Sequence, residues 1–179
     1  MTKRVLAAVV ASLLVAVPSM ATVLIPADLA ELAHEATLIA RGRVTSTEGR
    51  WAEGRRGIET VVTLEAESVL KGSATDVVHF VVPGGTLGRY RNVIMGAPRF
   101  ETGQHVLVFL GASGPQVPHL LGLSQGVYRV GVSTGGENVV SPMPAMPGVQ
   151  GPTVRGDATR QPTPLAEFER AVRTLGSAR

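Results

Sequence analysis

A chain of 179 residues, 44% hydrophobic and 17% charged, is long enough for one domain with its own core, too short for two ordinary ones, and not composed like a disordered chain. Its formal net charge is +3, and removing residues 1–21 with Lys3 and Arg4 leaves 15 basic against 14 acidic residues, which excludes the marked positive excess that nucleic-acid binders rely on. The absence of cysteine excludes disulfide stapling, thiol chemistry and a lipoprotein anchor, while 21 Gly and 12 Pro point to short strands and many turns.

Lys3 and Arg4, the apolar run Val5 to Val17 and the stop at Pro18 have the form of a secretory signal, too short to cross a bilayer as a permanent helix. Ser19-Met20-Ala21 puts small residues where a signal peptidase reads them. Residues 1–21 are therefore expected to be cleaved, leaving Thr22 as the new N-terminus of a secreted or periplasmic protein with no membrane attachment. The alternative is an uncleaved N-terminal anchor.

Residues 22–140 are expected to form one β-rich domain. Pro26 to His34, opened by Pro26 and Asp28, suits a short lead-in helix. Thr37 to Thr47 alternates, with Leu38, Ala40 and Val44 on one face and Arg41, Arg43 and Thr45 on the other; Gly42 marks a bulge or bend. Glu48 to Gly57 reads as a polar loop around Trp51. Ile58 to Leu70 is a long second strand, with Ile58, Val62, Leu64, Ala66 and Leu70 on one side and Glu59, Glu65 and Glu67 on the other. Antiparallel pairing of these strands lets Arg41 and Arg43 face Glu65 and Glu67 as solvated cross-strand pairs.

Lys71-Gly72-Ser73 turns the chain into a third strand, Val77 to Val82, closed by Pro83-Gly84-Gly85. A less regular stretch, Thr86 to Met95, precedes the continuous apolar run His105 to Leu110, whose character requires burial on both faces. Val127 to Ser133 is a fifth strand. Residues 141–162 are rich in proline, glycine and small residues and read as a linker; 163–176 opens at Thr163-Pro164 and carries Leu165, Phe168, Val172 and Leu175 on one helical stripe.

Gly122-Leu123-Ser124-Gln125-Gly126 matches the nucleophile elbow of hydrolases by letter. However, Val127 begins a strand where a helix is needed, and no histidine follows Ser124. His34, His79, His105 and His119 are scattered, and Leu38 stands where a second zinc-binding histidine would follow His34-Glu35. Gly84-Gly85-Thr86-Leu87-Gly88 lacks the dinucleotide spacing and its strand-to-helix setting. No catalytic residue, metal site or cofactor is assigned. Trp51 with Arg55 and Arg56, and Tyr90 between Arg89 and Arg91, put an aromatic among arginines on loops or edges, as protein-recognition hot spots do. Alternatively Trp51 covers one end of the fold and the arginines keep an edge soluble.

Five strands, a bent first pair and a capping helix suggest a mainly β, five-stranded OB-type barrel with a short N-terminal helix and a C-terminal helix. Three stretches resemble successive strands of netrin-like domains, which include the tissue inhibitors of metalloproteinases: Thr37-Leu38-Ile39-Ala40-Arg41-Gly42-Arg43-Val44, the run from Val62-Thr63-Leu64 to Leu70-Lys71-Gly72, and Gly103-Gln104-His105-Val106-Leu107-Val108-Phe109-Leu110. The resemblance spans Pro26 to Ser133 and extends to exported bacterial proteins of the same pattern. It implies a protein partner, a secreted protease among the candidates. Those inhibitors grip the protease zinc through an N-terminal cysteine; here Thr22 would offer the same amine and carbonyl without a disulfide to order them.

The expected function is that of a non-enzymatic, extracytoplasmic protein-interaction module using Thr22, Trp51, Arg55, Arg56, Arg89, Tyr90 and Arg91, with no nucleic acid and no cofactor. The alternatives are a secreted hydrolase using Ser124 and an OB-type domain binding nucleic acid or glycan, against which stand the balanced charge and an aromatic content of 4%.

Overall fold

Val106 to Leu110 are consecutive apolar residues, so a strand built from them must be covered on both faces. In the computed structural model, which describes residues 27–112, 117–143 and 161–177, all of them are buried. The expected signal segment 1–21, Thr22, Pro26 and residues 144–160 of the proline-rich segment lie outside the described residues.

The chain runs through α1 (Leu29–Glu35), β1 (Leu38–Trp51), β2 (Ile58–Lys71), β3 (Val77–Pro83), β4 (Gly85–Leu87), β5 (Tyr90–Asn92), β6 (His105–Gly111) and β7 (His119–Leu120). It continues through β8 (Val127–Val132), β9 (Asn138–Pro142), β10 (Thr163–Pro164) and α2 (Leu165–Ser177). The fold is thus mainly β, with two helices among the described residues. In the larger sheet, β1, β2, β3, β7 and β6 form a ring of five strands closed by β1 pairing with β6, and β8, β9 and β10 extend the sheet outward from β6. Ring neighbours are antiparallel except β3 and β7, which meet in parallel at Val81 and His119.

Alternation along β6 separates two cores. Val106, Val108 and Leu110 point inward with Ala40, Val44, Val62, Leu64 and Phe80, whereas Leu107 and Phe109 point outward beneath both helices, against Leu32, Ala33, Phe168 and Val172. Phe168 and Val172, two of the stripe residues, are buried, and Leu165 and Leu175 pack beside them. The inner core is capped by Phe100, whose ring meets Phe80 edge-on at 5.5 Å.

Three expectations about strands and loops change, and a fourth, at Arg41, follows from them. Val127 to Ser133 lies outside the ring: β8 takes β6 at Val106 to Val108, leaving Leu110 and Gly111 to the two-residue β7, which is too short to show a period in sequence. Leu70 belongs to the outer core, not to the face of Leu64 and Ala66. The register explains this, since Glu67 and Leu70 are extra residues of β2 opposite β1, and each such bulge reverses the alternation. The loop expected at 48–57 shrinks to 52–57, because Glu48 to Trp51 pair with Val61 to Ile58.

The bulge also re-aims Glu67. Directly opposite Arg41 is Ser68, yet the Arg41 guanidinium reaches Glu67 across the bulge and Glu169 of α2, the latter at 2.7 Å. Arg41 is therefore a half-buried clamp between sheet and helix, not a solvated pair. Arg43 does stand opposite Glu65. Arg173 of α2 adds hydrogen bonds to the Val69 carbonyl and Ser68 hydroxyl, both at 3.3 Å. At the other helix, Lys71 donates from Nζ to the Ala33 and His34 carbonyls, satisfying two of the last acceptors of α1. Arg41→Ala is expected to lower the unfolding free energy by about 1–3 kcal/mol, since the charge-assisted bonds to Glu67 and Glu169 are lost and Glu169 keeps no partner for its charge among the described residues. Chemical denaturation checks the value, and faster amide exchange confined to α2 would locate it.

Candidate functional site

The pairing of β1 with β6 ends at Arg43, but its pairing with β2 continues to Trp51, with β3 beside β2 as far as Glu59, so this part of the sheet extends past β6 as an arm. β4 crosses this arm closely. A methyl group on Gly49 would overlap the Thr86 carbonyl, which explains a glycine in mid-strand here. The Thr60 hydroxyl donates to the Gly84 carbonyl at 2.8 Å, and the Gly84 amide donates to the Ile58 carbonyl at 2.8 Å. The stretch Thr86 to Met95, without a period in sequence, contains the small β4–β5 hairpin held against the arm by these bonds.

The chain then passes Val93, Ile94 and Met95 and turns through the Ala97 amide bond to the Ile94 carbonyl, 3.2 Å. Between the hairpin, the arm and residues 93–100 lies an open cleft of about 910 Å³. Its floor includes Val82, Pro98 and Phe100, and its rim includes Arg91, Val93, Met95 and Arg99. Val93 is 67% exposed and Met95 61%, and with the exposed Ile94 between them they form an apolar run open to solvent at the cleft.

Of the binding residues singled out in sequence only Arg91 lines the cleft, while Trp51, Tyr90 and Arg89 meet on the adjoining arm and hairpin. Trp51, 41% exposed, and Tyr90, 48% exposed, stand with ring centroids 5.6 Å apart. The Arg89 guanidinium lies 5.1 Å from the Tyr90 ring centroid and donates to its hydroxyl at 2.9 Å. Arg55 and Arg56 occupy the turn at the tip of the arm, where Gly54 and Arg55 have φ of 69° and 54°; Gly57, the next residue, approaches the Asn92 side chain. Thr22 lies outside the described residues.

Arg50 is neutralised by Glu59 at 2.7 Å, but among the described residues Arg55, Arg56, Arg89, Arg91 and Arg99 have no carboxylate within ion-pair distance. Among the described residues no acidic side chain lines the cleft. Glu53, in the same turn as Arg55, is the nearest acid in sequence at the tip. Val93, Ile94, Met95 and Arg99 were not singled out in sequence. Their signal was an apolar triplet outside any strand or helix period, followed by Gly-Ala-Pro-Arg.

Ser124 sits in a 3-10 turn, Leu123–Gly126, that leads directly into β8. Its side chain is buried, its amide donates to the Gly96 carbonyl at 3.0 Å, and among the described residues, which include all four histidines, its hydroxyl has no hydrogen-bond partner, so no histidine is placed to take its proton. His79 contacts the Thr63 hydroxyl at 3.2 Å on an exposed face, and His105 stands 3.4 Å from Glu67. Among the described residues no group of three or more His, Cys, Asp or Glu is placed to hold a metal ion. The chain matches no protein-family model, no curated protein and no solved structure, so what the cleft does must be argued from its own geometry.

Proposed function

We propose that this protein is a non-enzymatic, extracytoplasmic interaction module that binds another protein through the cleft and the Trp51–Tyr90 pair beside it. One observation carries the reading: two exposed aromatic rings in contact, with the exposed Val93 and Met95 of the cleft rim following Tyr90 in the chain, and neighbouring arginines that have no carboxylate partner among the described residues. Tryptophan, tyrosine and arginine dominate interface hot spots because each brings a large contact area with few rotors and a polar handle.

The OB-type reading of the ring is part of the proposal. The order β1-β2-β3-β7-β6 returning to β1, with its parallel contact between β3 and β7, supports a small part-open barrel of that kind. The netrin-like reading, with a secreted protease as partner, adds the expectation that Thr22 is the true N-terminus. Recognition of protein is favoured over a hydrolase because Ser124 is buried without a base.

The test is affinity capture by the processed protein, Thr22 to Arg179, from its own extracytoplasmic fraction, with mass spectrometry of the bait's N-terminus and of the captured partners. Trp51→Ala is expected to weaken capture by roughly tenfold or more. Equal capture by the variant and the parent would remove Trp51 from the site. Hydrolytic activity abolished by Ser124→Ala would replace the proposal with the hydrolase reading.

A further inference from the structure

Resting on the interaction-module reading, we infer that the partner presents an extended acidic segment to the cleft, with carboxylates meeting Arg91 and Arg99 and apolar side chains covering Val93, Ile94 and Met95. The charge pattern of the cleft selects the sign. Arg91 and Arg99 are its charged lining residues, both are exposed, and neither has an ion-pair partner among the described residues. Arg55, Arg56 and Arg89 stand exposed on the neighbouring arm and hairpin, with Glu53 in the same turn as Arg55, and Glu48 and Glu101 are exposed next in sequence to lining residues, so the selection of sign rests on Arg91 and Arg99, the charged groups of the lining itself. A cationic segment would be repelled. A neutral apolar one would leave the arginines facing it without counter-charges.

The apolar requirement follows from exposure. Val93 and Met95 stand out to solvent beside a floor of Val82, Pro98 and Phe100, so a partner bearing carboxylates alone would leave that surface wet. Extended conformation follows from the sheet edge. β5 is paired with β4 and with no other strand among the described residues, which leaves the backbone groups of its far edge available to a strand added from outside. Such addition brings alternate side chains of the guest to one face, so an alternating acidic and apolar sequence turns its apolar side chains toward the floor of Val82, Pro98 and Phe100 and its carboxylates toward the mouth, where Arg91 and Arg99 share the rim with Val93 and Met95. At about 910 Å³ the cleft has room for several residues of such a segment.

Trp51 is the chain's single tryptophan and stands beside this surface, so its emission reports occupancy without a label. Three synthetic peptides of alternating Glu-Leu, Gln-Leu and Lys-Leu sequence, together with vesicles of neutral and of anionic phospholipid, are titrated into the processed protein. The Glu-Leu peptide is expected to bind about tenfold or more tighter than the Gln-Leu peptide at low salt, and the difference should shrink as salt rises from about 0.01 M to about 1 M, where screening contracts from ~30 Å to ~3 Å. The double substitution Arg91→Glu and Arg99→Glu exchanges the preference, so that the Lys-Leu peptide becomes the better ligand. Both positions are exposed, and a circular-dichroism spectrum matching the parent's keeps that result interpretable.

Equal binding of the three peptides, binding of none of them, or binding of anionic vesicles in their place would overturn the inference. If partner capture still depended on Trp51 in any of those cases, the interaction module would stand without its acidic ligand. If capture were lost as well, both readings would fall.

Discussion

Phe109→Ala is expected to lower the unfolding free energy by about 3–5 kcal/mol, among the largest effects of any single truncation in this fold. Phe109 lies on β6 and is completely buried in the outer core. Its ring centroid is 6.0 Å from that of Tyr128 on β8, which in turn is 4.5 Å from that of Phe168 on α2. The three rings tie the ring of strands, its outward extension and the C-terminal helix into one packed layer. With no disulfide to limit the unfolded chain, that layer is not backed by a covalent link. Truncation removes the transfer energy of the ring and opens a cavity that the flanking, hydrogen-bonded strands cannot close. Denaturant titration followed by far-ultraviolet circular dichroism measures the change; a loss under about 1 kcal/mol would mean that α2 is not packed on β6 as described.

The second large effect is at Gly42. Its position inside the ring places the β1 backbone against β2 where the two strands bend together, and a methyl group there would overlap the carbonyl oxygen of Glu65. The obstacle is backbone, so no rotamer change relieves it. Gly42→Ala must spread β1 from β2 beside the Glu67 bulge, displacing the Arg41 clamp at the same time. About 3 kcal/mol of destabilisation is expected from the overpacking. Destabilisation accompanied by loss of the α2 amide protection would confirm that the bend and the helix clamp are coupled, while Gly131→Ala, where an added methyl meets nothing within 4 Å, serves as the harmless control. A Gly42→Ala protein as stable as the parent would show that β1 and β2 do not approach this closely.

Local sequence decided the elements whose period is uninterrupted. The alternation of Leu38, Ala40 and Val44, the apolar run at 106–110 and the helical stripe through Phe168 and Val172 each require a particular burial and are found buried, while His105, which opens the expected run, stays partly exposed. Gly42 was legible as a bend because glycine in a strand interior is unfavourable without a close approach to accommodate. Of the candidate site, the aromatic rings and their arginines were legible one loop at a time, from residue type alone.

What only the tertiary structure decided are the relations between distant segments. The β-bulges move Leu70 to the outer core and hand Glu67 to Arg41, because an extra residue in one strand changes which face every later side chain occupies, and that extra residue is defined only by the partner strand. β7 closes the ring with two residues, too few for any period. Val93 to Met95 look like ordinary core material in sequence; they become a surface because the β4–β5 hairpin is held on the arm by Thr60, Gly84 and Ile58, leaving no element among the described residues to cover them. The contact of Trp51 with Tyr90, 39 residues apart in the chain, has the same origin. Residue type and period set how much surface each segment must bury, but which surfaces find cover is settled by hydrogen bonds between segments, and the cleft is what that packing leaves open.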